Sequence, residues 1–268
     1  MESKLDYKGV DIKISDEGTG VPVVLIHGYL ESSEIWQSFS ERLKDSCRII
    51  RIDLPGHGES ELIKEVQTME LMAEVIRFVL DALFLDKCIL IGHSLGGYVS
   101  LAFAEMYPER LMGFSLFHST PFPDTEEKKQ QRNREIELVI QNKKDLIFNT
   151  NIPKEFADDN LVILAEEVER VKNIAGKTSE RGIVSMLEGM KLRPDRSKII
   201  ALTGLPFLLI LGKKDNYIPF EVASSKIGLN KNGRLCVLEN SGHLGFVEEP
   251  EKSLECVKSF VEQCRNIM

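Results

Sequence analysis

Seven short apolar runs are spaced along the chain, and the stretches between them repeat their apolar residues every three or four positions. The runs are VDIKIS (10–15), VPVVLI (21–26), CRIIRID (47–53), KCILIG (87–92), LMGFSLFH (111–118), PFLLILG (206–212) and RLCVLE (234–239). Most are nearly continuous in Val, Ile, Leu and Phe, which suits strands covered on both faces and hence a mostly parallel sheet. Between them, Met69, Met72, Ile76, Val79 and Leu83 mark one helical stripe, and Leu254, Val257, Val261 and Cys264 mark another. Strands alternating with helices across short turns predict a layered α/β fold.

One stretch breaks the alternation. Residues 121–203 contain no strand signal. The charged run DTEEKKQQRNRE leads into a stripe of Ile136, Val139 and Ile140. Leu161, Leu164, Val168, Val171 and Ala175 form a second stripe, and Ile183, Leu187 and Met190 a third. This pattern predicts about three helices inserted between two strands, with the charge run as a solvated face. The expected organisation is a core over 1–120 and 204–268, with a helical cap over 121–203.

The charge balance limits the partners. With 34 basic and 42 acidic residues the net charge is −8, which argues against nucleic acid. No run approaches the ~20 apolar residues of a membrane span, and the N-terminus lacks a signal-peptide core. The five cysteines form no CxxC pair and several sit in strand-like runs. The expectation is five reduced thiols, a cytoplasmic protein and no metal site.

The chemistry centres on ILIGHSLGGYVSLAFA. Gly92-His93-Ser94-Leu95-Gly96 fits G-x-S-x-G, follows a strand and opens a helix. A nucleophile elbow requires that setting, in which small residues allow a sharp turn that raises the serine above the sheet edge. A serine hydroxyl is a weak nucleophile, so it needs a base, and the base needs an orienting acid. His243 follows the last strand and Asp215 the one before it. Both therefore fall at the carboxyl end of the sheet, where sites gather in open α/β folds. The order Ser94, Asp215, His243 is the order used by elbow-type hydrolases. For the oxyanion, the amides of Tyr29, directly after the second run, and of Leu95 are the expected donors. Loss of such a donor costs about 2.7–4 kcal/mol of transition-state stabilisation. His27 is read as a loop-bracing residue.

These residues resemble a known family. HGYLESSEIW (27–36), DLPGHGES (53–60), GHSLGG (92–97), LGKKDNYIP (211–219) and SGHLGFVEEPE (241–251) look like a small, capped, bacterial esterase-like α/β-hydrolase, in that family's order and spacing. The resemblance implies an eight-stranded sheet with its second strand antiparallel and a helical cap after the sixth. It also implies Ser94 as nucleophile, His243 as base, Asp215 as acid, and Tyr29 and Leu95 as oxyanion donors. Some relatives carry the acid after the sixth strand. Here that segment reads FHSTPFP, with no carboxylate before Asp124, which strengthens Asp215. The HGGG loop of some lipases is absent.

A serine nucleophile implies acyl transfer without metal or organic cofactor and argues against alkyl-enzyme chemistry on a carboxylate. The expected partner is a small-molecule ester, and Trp36, His118, Phe122 and Leu244 are candidate pocket residues. The same triad is compatible with a pyruvate-eliminating enzyme of the menaquinone-pathway type, a carbon–carbon bond hydrolase or an enol-lactonase. A polyanionic substrate would want arginines such as Arg132, Arg134 or Arg181 at the site. A non-catalytic ligand-binding protein is the remaining alternative.

Overall fold

The computed structural model describes residues 2–266. Eight strands form one sheet: β1 (Glu2–Asp6), β2 (Asp11–Gly18), β3 (Val21–Ile26), β4 (Cys47–Ile52), β5 (Cys88–His93), β6 (Leu111–Phe117), β7 (Phe207–Gly212) and β8 (Gly233–Leu238). Their order across the sheet is β1-β2-β4-β3-β5-β6-β7-β8. β2 runs antiparallel to both its neighbours, and every later pairing is parallel. The central strands β5, β6 and β7 are buried along their whole length, which accounts for their unbroken apolar sequences.

The seven expected strands are all present, within a few residues at their ends. β1 was not expected. Its residues ESKLD alternate between exposed and half-buried, because it is a hairpin edge strand with no buried face.

Helices cover both sides. Met69–Ala82 starts at Thr68, whose Oγ1 accepts a hydrogen bond from the Leu71 amide. It packs on Leu95–Met106, which lies on β5 and β6, while Pro250–Asn266 packs on β6 and β8. No helix among the described residues is long and apolar enough to cross a membrane.

Between β6 and β7 the chain is helical, with five α-helices rather than three: Glu126–Ile140, Lys144–Glu155, Ala165–Gly176, Glu180–Lys191 and Ser197–Leu202. Ile136 and Val139 are buried, whereas Ile140 is exposed. Leu161 and Leu164 precede the third of these helices instead of joining its stripe. Lys144–Glu155 escaped notice because Asn149, Thr150, Asn151 and Pro153 are poor helix formers.

The cysteine expectation is corrected in part. Cys47, Cys88 and Cys264 are free and buried, but Cys236 and Cys256 form a disulfide between β8 and the C-terminal helix. Twenty residues separate them, so no local spacing announces the pair.

Candidate active site

Register brings the site segments to one edge. Ile26 of β3 lies opposite Gly92 of β5, His93 opposite Phe117 of β6, and Phe117 opposite Ile210 of β7. Each of these parallel strands therefore ends at the same level, and the loops that follow them meet.

Ser94 sits at the turn between β5 and the next helix, with φ 49° and ψ −110°. A non-glycine residue pays strain to adopt this conformation, and such strain clusters at functional sites. The turn is held by the Ser94 amide, which donates to the Phe117 carbonyl at 3.0 Å, and by the Ser119 hydroxyl, which donates to the Ser94 carbonyl at 2.7 Å. It closes only because Gly92 and Gly96 lack side chains. A Cβ on Gly92 would strike the Gly96 carbonyl, and one on Gly96 would strike the Ile26 carbonyl.

His243 and Asp215 are brought together. His243 Nδ1 lies 2.8 Å from Asp215 Oδ2. Donation from Nδ1 leaves Nε2 as the free acceptor of the ring. Asp215 Oδ1 accepts the amides of Tyr217 and Ile218 at 2.8 and 2.9 Å, so the carboxylate is fixed by its own turn. Burial acts to raise its pKa, but the charge of His243 and hydrogen bonds from His118 and His243 hold it well below the ordinary carboxylate range. The His243 loop is tied down by Glu248, which accepts the Gly242 amide at 2.8 Å and, through its other oxygen, the Ala157 amide at 2.8 Å.

Ser94 and His243 line one cavity, and among the described residues no hydrogen bond joins their side chains. Tyr29 lines it too, and Leu95 is the first residue of the helix behind Ser94. Among the described residues, neither the Tyr29 nor the Leu95 amide donates to another group.

Beneath the Tyr29 loop lies a buried ion pair that sequence reading missed. Glu31 Oε2 accepts the Gly28 amide and sits 3.0 Å from His93 Nδ1, while His93 Nε2 donates to the His243 carbonyl at 2.8 Å. Burial opposes both charges. The pair nevertheless raises the His93 pKa and lowers that of Glu31. One imidazole thus joins the loops that carry Tyr29, Ser94 and His243.

The expected pocket residues are corrected. Trp36 is fully buried and stacks on Phe246, with ring centroids 4.1 Å apart. Leu244 is also fully buried. Phe122 packs against the core. His118 lies behind the Asp215 carboxylate, with Nδ1 3.2 Å from Asp215 Oδ2 and Nε2 accepting the Gly245 amide at 3.1 Å. Burial lowers its pKa to about 4 despite Asp215, so it is neutral. None of the four borders the cavity, whose walls include Lys128, Gln131, Arg132, Glu135, Asn151 and Tyr217. Most of these come from the helices Glu126–Ile140 and Lys144–Glu155 of the inserted segment.

Of the three arginines, Arg132 reaches the cavity, Arg134 is exposed, and exposed Arg181 pairs with Glu65. Asp124 pairs with Arg132 and Arg193 rather than with His243. His27 braces the loops, with Nε2 accepting the Leu54 amide at 2.9 Å. His57 packs on His27 without a hydrogen bond to either ring nitrogen among the described residues. The group with metal-ligand spacing is His118, Asp215 and His243, whose atoms already pair with one another.

The model of one family, described as alpha/beta hydrolase fold, matches residues 21–250. An esterase from Thermogutta terrifontis, solved with malate bound, is 30% identical, superposes with a TM-score of 0.93, and is covered over 99% of its length by 98% of this chain. A putative 2-succinyl-6-hydroxy-2,4-cyclohexadiene-1-carboxylate synthase of Bacillus subtilis is 28% identical over 268 residues, covering 94% of this chain and 95% of the relative. A 2-hydroxy-6-oxononadienedioate/2-hydroxy-6-oxononatrienedioate hydrolase of Burkholderia vietnamiensis is 27% identical over 274 residues, covering 95% of this chain and 93% of the relative.

Proposed function

The chain belongs to the α/β-hydrolase family, and from that premise we propose that it is a serine hydrolase that cleaves a small carboxylic ester through an acyl-enzyme on Ser94. The observation that carries this reading is the strained Ser94 turn facing the same cavity as a histidine whose Nδ1 is held by a buried carboxylate.

In the proposed course, Ser94 Oγ attacks the ester carbonyl carbon while His243 Nε2 takes its proton. Asp215 keeps the imidazole in the Nδ1–H tautomer and stabilises the imidazolium. The Tyr29 and Leu95 amides, which have no other acceptor among the described residues, receive the oxyanion. The intermediate collapses, His243 protonates the departing alcohol, and a water activated by His243 releases the acid and restores Ser94. The cavity offers about 80 Å³, which supports a short substrate.

The Thermogutta terrifontis relative, named an esterase, favours this reading. The Bacillus and Burkholderia relatives favour a second, in which the same residues act on a carbon–carbon bond or an elimination.

The test is hydrolysis of p-nitrophenyl acetate through octanoate by wild type and Ser94→Ala, with fluorophosphonate labelling in parallel. Turnover that peaks at a short chain and vanishes in Ser94→Ala is the expected result. Labelling of Ser94 without turnover would favour the second reading. Neither labelling nor turnover would leave a ligand-binding protein.

A further inference from the structure

Charged side chains stand in the walls of the Ser94 cavity, and among the described residues one cation there has no carboxylate within ion-pair distance. Arg132 and Arg193 share a single carboxylate, Asp124, with Arg193 Nη1 at 2.7 Å from Oδ1 and Arg132 Nε on Oδ2. Glu135 accepts from Asn151 Nδ2 at 3.2 Å and from the Tyr29 hydroxyl at 3.4 Å. Glu31 is committed to His93 and Gly28. Glu155 is buried, and its pKa is raised by that burial and by Glu31, Asp215 and Glu248.

Lys128 is the cation left over. Its ammonium donates to Gln131 Oε1 at 3.3 Å and lies 5.3 Å from the centre of the Tyr217 ring. Among the described residues no carboxylate stands within ion-pair distance of it. The Tyr217 ring is itself 5.2 Å from the His243 ring, so Lys128 is one aromatic ring removed from the catalytic imidazole. Lys128 also borders a second hollow outside the cavity, beside Lys154 and Asn216. The ammonium thus stands at the border between the cavity and that hollow. Burial and the neighbouring Arg132 work against its charge more than Glu135 and Asp124, both beyond ion-pair distance, support it, so an arriving anion is favoured over a neutral group that leaves a partly buried ammonium without a close partner.

We propose that the Ser94 cavity takes a short ester carrying a free carboxylate, and that Lys128 receives this carboxylate. The inference rests on the acyl-hydrolase reading and assigns its substrate class. Lys128 acts here as a specificity residue, with the side-chain amides of Gln131 and Asn151 beside it as further donors.

The test uses two matched pairs of esters, each with a neutral amide in place of the carboxylate. They are monomethyl glutarate against its monoamide, for an anion on the acyl half, and acetoxyacetate against acetoxyacetamide, for an anion on the alcohol half. Hydrolysis is followed by titration at constant pH. In wild type, at least one pair should favour the anion by about tenfold or more in kcat/KM, as one charge-assisted hydrogen bond allows. That preference should shrink at high salt. It should fall by about tenfold in Lys128→Gln and survive in part in Lys128→Arg. No preference in wild type for either pair, or an unchanged preference in Lys128→Gln, overturns the assignment. Ser94 labelled by a fluorophosphonate, with none of the four esters cleaved, overturns this inference while sparing the nucleophile. An unlabelled Ser94 with no turnover rejects the acyl-hydrolase reading and this inference with it.

Discussion

His243 and Asp215 approach to 2.8 Å through Nδ1 and Oδ2, and the other Asp215 oxygen is held by two backbone amides. The Asp215 carboxylate therefore cannot turn away from His243 without losing its own turn. Asp215→Asn should preserve the fold and lower kcat by about 10⁴-fold, because the amide stabilises the wrong imidazole tautomer. Stability carries a second signature. The depressed Asp215 pKa stabilises the fold fully above the unfolded value near 3.9, and this is lost as pH falls through the folded value. The wild-type advantage over Asp215→Asn should thus be present at pH 7 and shrink below about pH 4 in denaturant titrations. A kcat within tenfold of wild type would remove Asp215 from the acid role.

The Glu31–His93 pair should be felt in both activity and stability. Removing one partner of a buried ion pair costs about 3–5 kcal/mol. Glu31→Gln should lose stability of that order and also lower kcat, since Glu31 holds the Gly28 amide next to Tyr29. The lowered Glu31 pKa contributes above about pH 4.3. The raised His93 pKa contributes fully below about pH 6.5 and fades as pH rises through its folded value. Urea melts should therefore show the widest gap between wild type and Glu31→Gln near pH 5.5 and a narrower one at pH 9. A gap that grows steadily toward pH 9 would mean His93 is not protonated in the fold.

Sequence and structure agree most where the signal is local. Ser94 is legible because a strand, a tight Gly-flanked turn and a helix follow one another within nineteen residues. His243 and Asp215 are legible because each follows an apolar run whose end must reach the same sheet edge. Depth is not legible in this way. Trp36 and Leu244 stand beside site segments in sequence, yet their side chains turn into the core. The cavity wall instead comes from Lys128 and Glu135, on a helical face that reads as solvated, and from Asn151, on a helix without a sequence signal. A charged helical face looks the same in sequence whether water or a substrate covers it. Glu31 and His93 are 62 residues apart, so their pairing had no local signal either.

The Cys236–Cys256 bond ties β8 to the C-terminal helix across a 20-residue separation. Closing a loop of that length stabilises a fold by about 3 kcal/mol in the chain-entropy view. The denatured, unreduced protein should titrate three thiols, from Cys47, Cys88 and Cys264. Cys256→Ala should lower the unfolding free energy by up to about 3 kcal/mol, and reductant should destabilise wild type but not the variant. Five titratable thiols in protein purified without reductant would show that the two sulfurs do not bond.

Glu155 gives the opposite pH signature to Asp215. Its carboxyl is buried, Oε2 has no hydrogen-bond partner among the described residues, and burial together with Glu31, Asp215 and Glu248 raises its pKa well above the ordinary value. Its backbone carbonyl accepts the His243 amide at 2.6 Å, so the segment cannot move aside to hydrate the side chain. Below the unfolded pKa near 4.3, both states hold the proton and the residue is neutral to stability. Above it the unfolded chain releases the proton and the folded chain keeps it, so stability falls by up to about 1.4 kcal/mol per pH unit until the folded pKa is reached. Glu155→Gln should match wild type in stability near pH 4 and exceed it by roughly 1–3 kcal/mol at pH 7. Guanidinium titrations at pH 4, 5.5 and 7 measure the difference directly. A gap independent of pH would mean that Glu155 ionises in the folded protein as it does in the unfolded chain.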